Sequence, residues 1–71
     1  MRGGLIGCGF FAANHLAAWR ELGVSMALCD SRPERAEALA AKMGGGPVYS
    51  DAAAMLERER LDFVDIVTTV E

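Results

Sequence analysis

The sequence predicts an α/β fold, a partial doubly wound parallel sheet of four strands in the order 3-2-1-4 with three helices. Three observations carry this. Short β-favouring runs at residues 4–6, 24–29, 47–49 and 63–67 alternate with longer stretches of helical periodicity. A glycine turn, Gly7-Cys8-Gly9-Phe10-Phe11-Ala12, joins the first run to the first helix. An acid, Asp30, closes the second run at close to the ~20-residue offset at which such sheets place a ribose-binding carboxylate. Strands separated by helices cannot pair through tight hairpins, so they run parallel through right-handed crossovers.

Taken in order, residues 4–6 form a short buried strand. Residues 11–22 then read as a helix, with Ala12, Leu16 and Trp19 at near-helical spacing and Gly23 as its C-terminal stop. The second strand ends at Cys29-Asp30. Ser31 and Glu34 have capping-box spacing and Pro33 suits a first turn, so a second helix starts there. Ala36, Leu39, Ala40 and Met43 give it one apolar face for the sheet. Gly44-Gly45-Gly46 follows a helix rather than preceding one, which makes it a cap and linker, not a second phosphate loop. Pro47 suits the first position of a short edge strand. Ser50 or Asp51 caps a third helix through about residue 59, whose apolar side is Ala52, Met55 and Leu56.

Composition narrows the function. Seventy-one residues make at most one small domain with a thin core. No apolar run approaches the ~20 residues of a membrane span, so a membrane partner is not expected. A net charge of −3, with seven Lys and Arg scattered among ten acids, argues against nucleic acid. The start enters a strand without the regions of a signal peptide, and a cytoplasmic location follows by default. Cys8 and Cys29 read as free thiols; two cysteines alone make neither a zinc site nor a disulfide framework.

The candidate chemistry is dinucleotide binding. In a G-x-G-x-x-A turn the first glycine permits the tight strand-to-helix turn, the second lets the backbone approach a pyrophosphate, and the small third residue lets helix and strand pack closely. Amides at the helix start, at Phe10 and Phe11, would face the anion with the helix dipole behind them, while both rings pack as core residues. Asp30 can accept bonds from two ribose hydroxyls and would repel a 2′-phosphate, which favours NAD over NADP. Its alternative is a cap for the following turn. Arg32 and Arg35 are open between a phosphate or adenine contact and a solvated helix surface. Cys8 reads as small filler and His15 as a packed helical histidine, since neither has an identifiable catalytic partner.

These residues carry a resemblance. The runs Gly-Leu-Ile-Gly-Cys-Gly-Phe-Phe-Ala-Ala-Asn-His-Leu-Ala-Ala-Trp, Cys-Asp-Ser-Arg-Pro-Glu-Arg-Ala, Val-Tyr-Ser-Asp and Leu-Asp-Phe-Val-Asp-Ile-Val-Thr-Thr, in that order, resemble the opening of the glucose-fructose oxidoreductase and inositol dehydrogenase family, Gfo/Idh/MocA. The resemblance runs the length of the chain. It implies a Rossmann domain and an oxidoreductase that moves hydride between a nicotinamide cofactor and a sugar, cyclitol or related polyol. It further implies cofactor contacts at Gly7, Gly9, Phe10, Phe11, Asp30, Ser31, Arg35, Thr68 and Thr69. The family's Thr-Pro-Pro turn is Thr68-Thr69-Val70 here. Its Glu-Lys-Pro segment, with the catalytic lysine, would lie beyond Glu71, as would a substrate domain. Residues 1–71 are therefore expected to be the amino-terminal part of a dinucleotide-binding domain, without catalytic residues of its own. A stand-alone nucleotide-binding or regulatory module and a methyltransferase-like domain are the alternatives.

A last expectation concerns association. Strand four would have a free edge, and Phe63, Val64, Ile66 and Val67 carry little that blunts one; Asp65 is its only gatekeeper. Pairing with a second copy along residues 63–67 would satisfy that edge.

Overall fold

The computed structural model describes residues 1–9, 11–44 and 46–67. Its elements are β1 (Arg2–Ile6), α1 (Ala12–Glu21), β2 (Ser25–Cys29), α2 (Pro33–Met43), β3 (Val48–Tyr49), α3 (Ala52–Arg58) and β4 (Phe63–Ile66). The four strands form one parallel sheet in the order β3-β2-β1-β4, as expected.

The strand register sorts the side chains onto two faces. Leu5, Leu28, Met26 and Phe63 point to one face, where α1 and α2 bury Ala12, Leu16, Ala36 and Leu39 against them. Ala27 and Cys29 point to the other, where α3 contributes the fully buried Met55. A parallel sheet needs cover on both faces, and one helix on the second face covers only part of it. Val64 and Ile66, on that face of β4, are 41% and 62% exposed.

Two glycines sit in the middle of β1 because large side chains cross it. A Cβ on Gly3 would stand 2.8 Å from Met26 Sδ and closer still to the Phe63 ring. On the opposite face, a Cβ on Gly4 would stand 2.7 Å from Leu61 Cδ1 and 2.8 Å from Met55 Cε. The two positions therefore trade strand propensity for close packing at the sheet centre.

The helix ends follow sequence chemistry, with one correction. Gly23, at φ 76°, ends α1: its N–H donates to Arg20 O and the Val24 N–H to Trp19 O, the paired bonds of a Schellman turn. Gly44, at φ 68°, caps α2 and donates to Ala40 O. Asp51 caps α3, accepting from the Ala53 N–H at 3.3 Å. The capping box expected from Ser31 and Glu34 does not form. The N-cap of α2 is Arg32, without a side-chain bond, and Asp30 Oδ1 accepts the Arg32 N–H at 2.8 Å instead. Pro33 opens the helix and Glu34 still complements its dipole.

Glu59 ties the sheet to the end of α3. It accepts hydrogen bonds from the Tyr49 hydroxyl and the Arg2 guanidinium, joining β3, β1 and the α3 C-cap. The Tyr49 bond, with Arg2's bond and charge, holds the Glu59 carboxyl below its ordinary value against the opposing pull of desolvation. The same hydrogen bond pushes the Tyr49 phenol up.

Candidate functional site

The carboxyl ends of β1, β2 and β3 open into a groove of about 440 Å³. Open α/β sheets bind ligands at this end, where the chain runs outward from β1 through β2 to β3 on one side and crosses back to β4 on the other. A second cavity, of about 460 Å³, lies at the opposite end between Arg2, Arg20, Gly23 and Pro47. There the helices end rather than begin, so partial negative charge faces it.

The groove is built from the β1–α1 turn. Gly7 has φ 98°, a conformation that costs any L side chain strain, and its N–H donates to Cys29 O at 2.8 Å. The next amide, of Cys8, donates to Asp30 Oδ2 at 2.7 Å. Gly9 accepts the Ala12 N–H at 3.2 Å, and a Cβ built on Gly9 meets nothing within 4 Å. That side of the loop is open to whatever enters. The N-cap residue Phe11 supplies no side-chain cap and the first turn of α1 holds no acidic residue, so the positive end of the helix dipole is directed at the loop.

Asp30 is 7% exposed and lines the groove. Its two oxygens accept the Cys8 and Arg32 amides, and a carboxylate offers roughly four lone-pair sites, so two remain. The capping role and the ligand role of Asp30 are thus compatible in one geometry. The loop backbone and this carboxylate fit the pyrophosphate and ribose of a dinucleotide.

Of the other sequence-derived candidates, Gly7, Gly9, Ser31 and Arg35 line the same groove. Phe11 is the N-cap of α1, beside the loop, and the residue is 57% exposed. The expectation that this ring packs in the core is corrected: the residue stands at the start of the helix and is exposed rather than buried. Phe10, Thr68 and Thr69 lie outside the described residues. The groove also includes Ser50, Asp51 and Ala52 from the β3–α3 turn, which motif reasoning passed over. The strand order alone could have placed them there, since β3 ends beside β2.

The two thiols are held neutral. Burial, followed by the nearby Asp30 charge, pushes Cys8 up to about 11, although the Cys29 carbonyl its Sγ reaches at 3.5 Å pulls the other way. Burial, then Asp30 and Asp51, raises Cys29 as well. Neutral buried thiols are poor nucleophiles, so Cys8 is packing within the turn. Among the described residues no group of His, Cys, Asp and Glu forms a metal site.

Beside the groove, His15 is exposed rather than packed. Its Nδ1 lies 2.9 Å from Asp65 Oδ2, and the Trp19 indole N–H donates to the same oxygen at 2.8 Å. Burial pushes the Asp65 carboxyl up, and the Trp19 and His15 bonds outweigh it, leaving the group below its ordinary value. Asp65 therefore points at α1 and does not serve as an edge charge.

Fold and groove together define a Rossmann-type nucleotide-binding domain. The chain belongs to the Gfo/Idh/MocA family, described as an oxidoreductase family with an NAD-binding Rossmann fold, whose profile matches residues 1–70. It is 54% identical over 70 residues to a D-apiose dehydrogenase of Paraburkholderia graminis, covering 96% of this chain and 19% of that protein. A D-apiose dehydrogenase of Rhizobium rhizogenes is 43% identical over 74 residues, covering 100% and 21%. Among solved structures, an oxidoreductase from Agrobacterium radiobacter in complex with NAD+, L-tartaric acid and magnesium superposes with a TM-score of 0.87 at 44% identity, over 99% of this chain and 21% of that one. The WlbA dehydrogenase from Bordetella pertussis, in complex with NADH and UDP-GlcNAcA, gives 0.83 at 31% identity, over 94% and 21%. The chain spans about a fifth of the length of these relatives. No helix among the described residues is long and apolar enough to cross a membrane.

Proposed function

We propose that the groove holds the adenosine and pyrophosphate half of NAD, in a protein that transfers hydride between that cofactor and a sugar, cyclitol or related polyol. The observation that carries this reading is the pairing of Asp30 with the loop: its carboxylate fixes the Cys8 amide and keeps lone pairs for ribose hydroxyls, beside a Gly9 whose open side admits a pyrophosphate. The amides of Gly9 and Phe11 face the phosphates, and Phe10, outside the described residues, is kept as a contact on the family resemblance alone. Ser31 and Arg35 border the adenosine; Thr68 and Thr69, outside the described residues, are kept as cofactor contacts on the family resemblance alone. Bound NAD supplies the hydride acceptor; these residues bind and orient it.

Asp30 makes NAD the preferred form, because a 2′-phosphate there would meet a buried carboxylate. The D-apiose dehydrogenases and the sugar-nucleotide complex of the relatives support the polyol reading. A cytoplasmic location fits two free, buried thiols. Association of two copies along residues 63–67 fits an outer strand whose Val64 and Ile66 are exposed.

Amide chemical-shift mapping tests the site. Adding NAD should move Gly7, Cys8, Gly9, Ser31 and Ser50 to Ala52 most. Shifts concentrated around Gly23, Gly44 and Pro47 would place the ligand at the wrong end of the sheet.

A further inference from the structure

We propose that Asp65 is a positioning residue for the β1–α1 loop: by accepting from His15 and Trp19 on one oxygen it fixes the rotation of α1 on the sheet, and with it the direction of the amides at the helix start. The inference rests on the cofactor reading above only for the use to which those amides are put.

The apolar contacts of α1 do not suffice to set its rotation. Its fully buried residues are Ala12 and Leu16, a narrow stripe with one large side chain. Burial of apolar area is non-directional, so a helix seated on such a stripe can roll with little loss. His15 and Trp19 are four residues apart and so share one helix face. Both reach the same carboxylate oxygen on β4, at 2.9 and 2.8 Å, and the Trp19 ring lies over Phe63 with centroids 4.6 Å apart. These three contacts join α1 to Phe63 and Asp65, neighbours on one face of β4.

A carboxylate in that position has a cost that an apolar residue would avoid. The Asp65 side chain is only 20% exposed, beside the layer that holds Leu16 and Phe63. Its return is directionality, since hydrogen bonds weaken steeply as their angle closes. The attachment lies near the loop: His15 is three residues into the helix from Ala12, about 4.5 Å along the axis. A roll released there turns the first-turn amides directly, and binding constellations tolerate only about 10–20° of misorientation. His15 does not line the groove, so this is a role exerted through the loop rather than on a ligand.

The test uses the intact protein and two readouts. Amide hydrogen exchange at Cys8, Gly9 and Ala12 is measured without cofactor, and NAD affinity by titration, in wild type, Asp65→Leu, Asp65→Asn, the milder His15→Gln, and a control, Leu39→Ala, that loosens the core under α2. Asp65→Leu should speed loop exchange and weaken NAD about tenfold, with Asp65→Asn restoring most of both through its remaining acceptor. His15→Gln should fall between. Leu39→Ala should lower the melting temperature while leaving NAD affinity near wild type. Unchanged loop exchange in Asp65→Leu and His15→Gln, or an equal loss of affinity in the Leu39→Ala control, overturns the positioning role. Altered loop exchange in a protein that binds no NAD at all leaves positioning intact and overturns the cofactor reading.

Discussion

Asp30 Oδ2 accepts the Cys8 amide at 2.7 Å, so the residue that ends β2 holds the turn that leaves β1. Glycine loop and acid are one unit, joined across neighbouring strands. This has a consequence for mutation. Asp30→Ala leaves the buried Cys8 amide without its acceptor, at a cost of about 1–3 kcal/mol in stability. Asp30→Asn keeps one acceptor and costs less. Both should weaken NAD. Urea unfolding beside NAD titration separates the effects, and an Asp30→Ala protein of wild-type stability would show that the bond contributes nothing.

The two glycines of the loop should respond differently to alanine. Gly7 needs its positive φ, so Gly7→Ala costs about 1–2 kcal/mol of folding stability. Gly9 has open space at its Cβ, so Gly9→Ala should change stability by no more than about 0.5 kcal/mol. It should nonetheless weaken NAD strongly, because the methyl fills the approach of the pyrophosphate. Thermal melts and titration of the pair decide it; parallel losses in both variants would mean that Gly9 has a folding role only.

Stability should fall at both ends of the pH range. Asp65 and Glu59 have folded-state values below ordinary carboxylates, so each contributes stability above its unfolded value and loses it as pH falls through the folded one. Asp65→Asn and Glu59→Gln should each flatten the acid limb of a stability profile below about pH 4. Tyr49 and Cys8 are raised, which reverses the sign. Their contributions are whole below the unfolded values and vanish as pH climbs through the folded ones, about 11 for Cys8. Tyr49→Phe should flatten the alkaline limb, and Cys8 should resist alkylation at pH 8 until the protein unfolds. Rapid labelling of folded Cys8 would contradict its burial.

Association through β4 should depend on its outer face. Ile66→Lys places a charge where an exposed apolar side chain now stands, and should shift sedimentation toward monomer. A concentration-independent monomer in the unmodified protein would remove the second copy as the partner of this edge.

The fold was legible because period and punctuation agree along the chain. Short apolar runs, helical stripes and the stops at Gly23 and Gly44 each act locally, and local signals survive in sequence. The Ser31–Glu34 box misled for a physical reason: Asp30, one residue earlier, is a charged acceptor for the Arg32 amide, and it wins. The Phe11 ring was misread because an aromatic beside a helix start is apolar by composition, but nothing in sequence says which way the turn aims it. Most of the groove was visible in the glycine motif and the acid. Ser50 and Asp51 enter it through strand adjacency, and the bonds from His15 and Trp19 to Asp65 span 50 and 46 residues. Such pairings have no local signature.

The most direct measurement is calorimetric titration of the protein with NAD and with NADP under one buffer and salt condition. Saturable binding of NAD, weaker binding of NADP, and a gap between them that narrows in Asp30→Asn are the predicted result. Equal or tighter binding of NADP, or no saturable binding of either dinucleotide, would contradict the assignment of Asp30 and the glycine loop as the cofactor site.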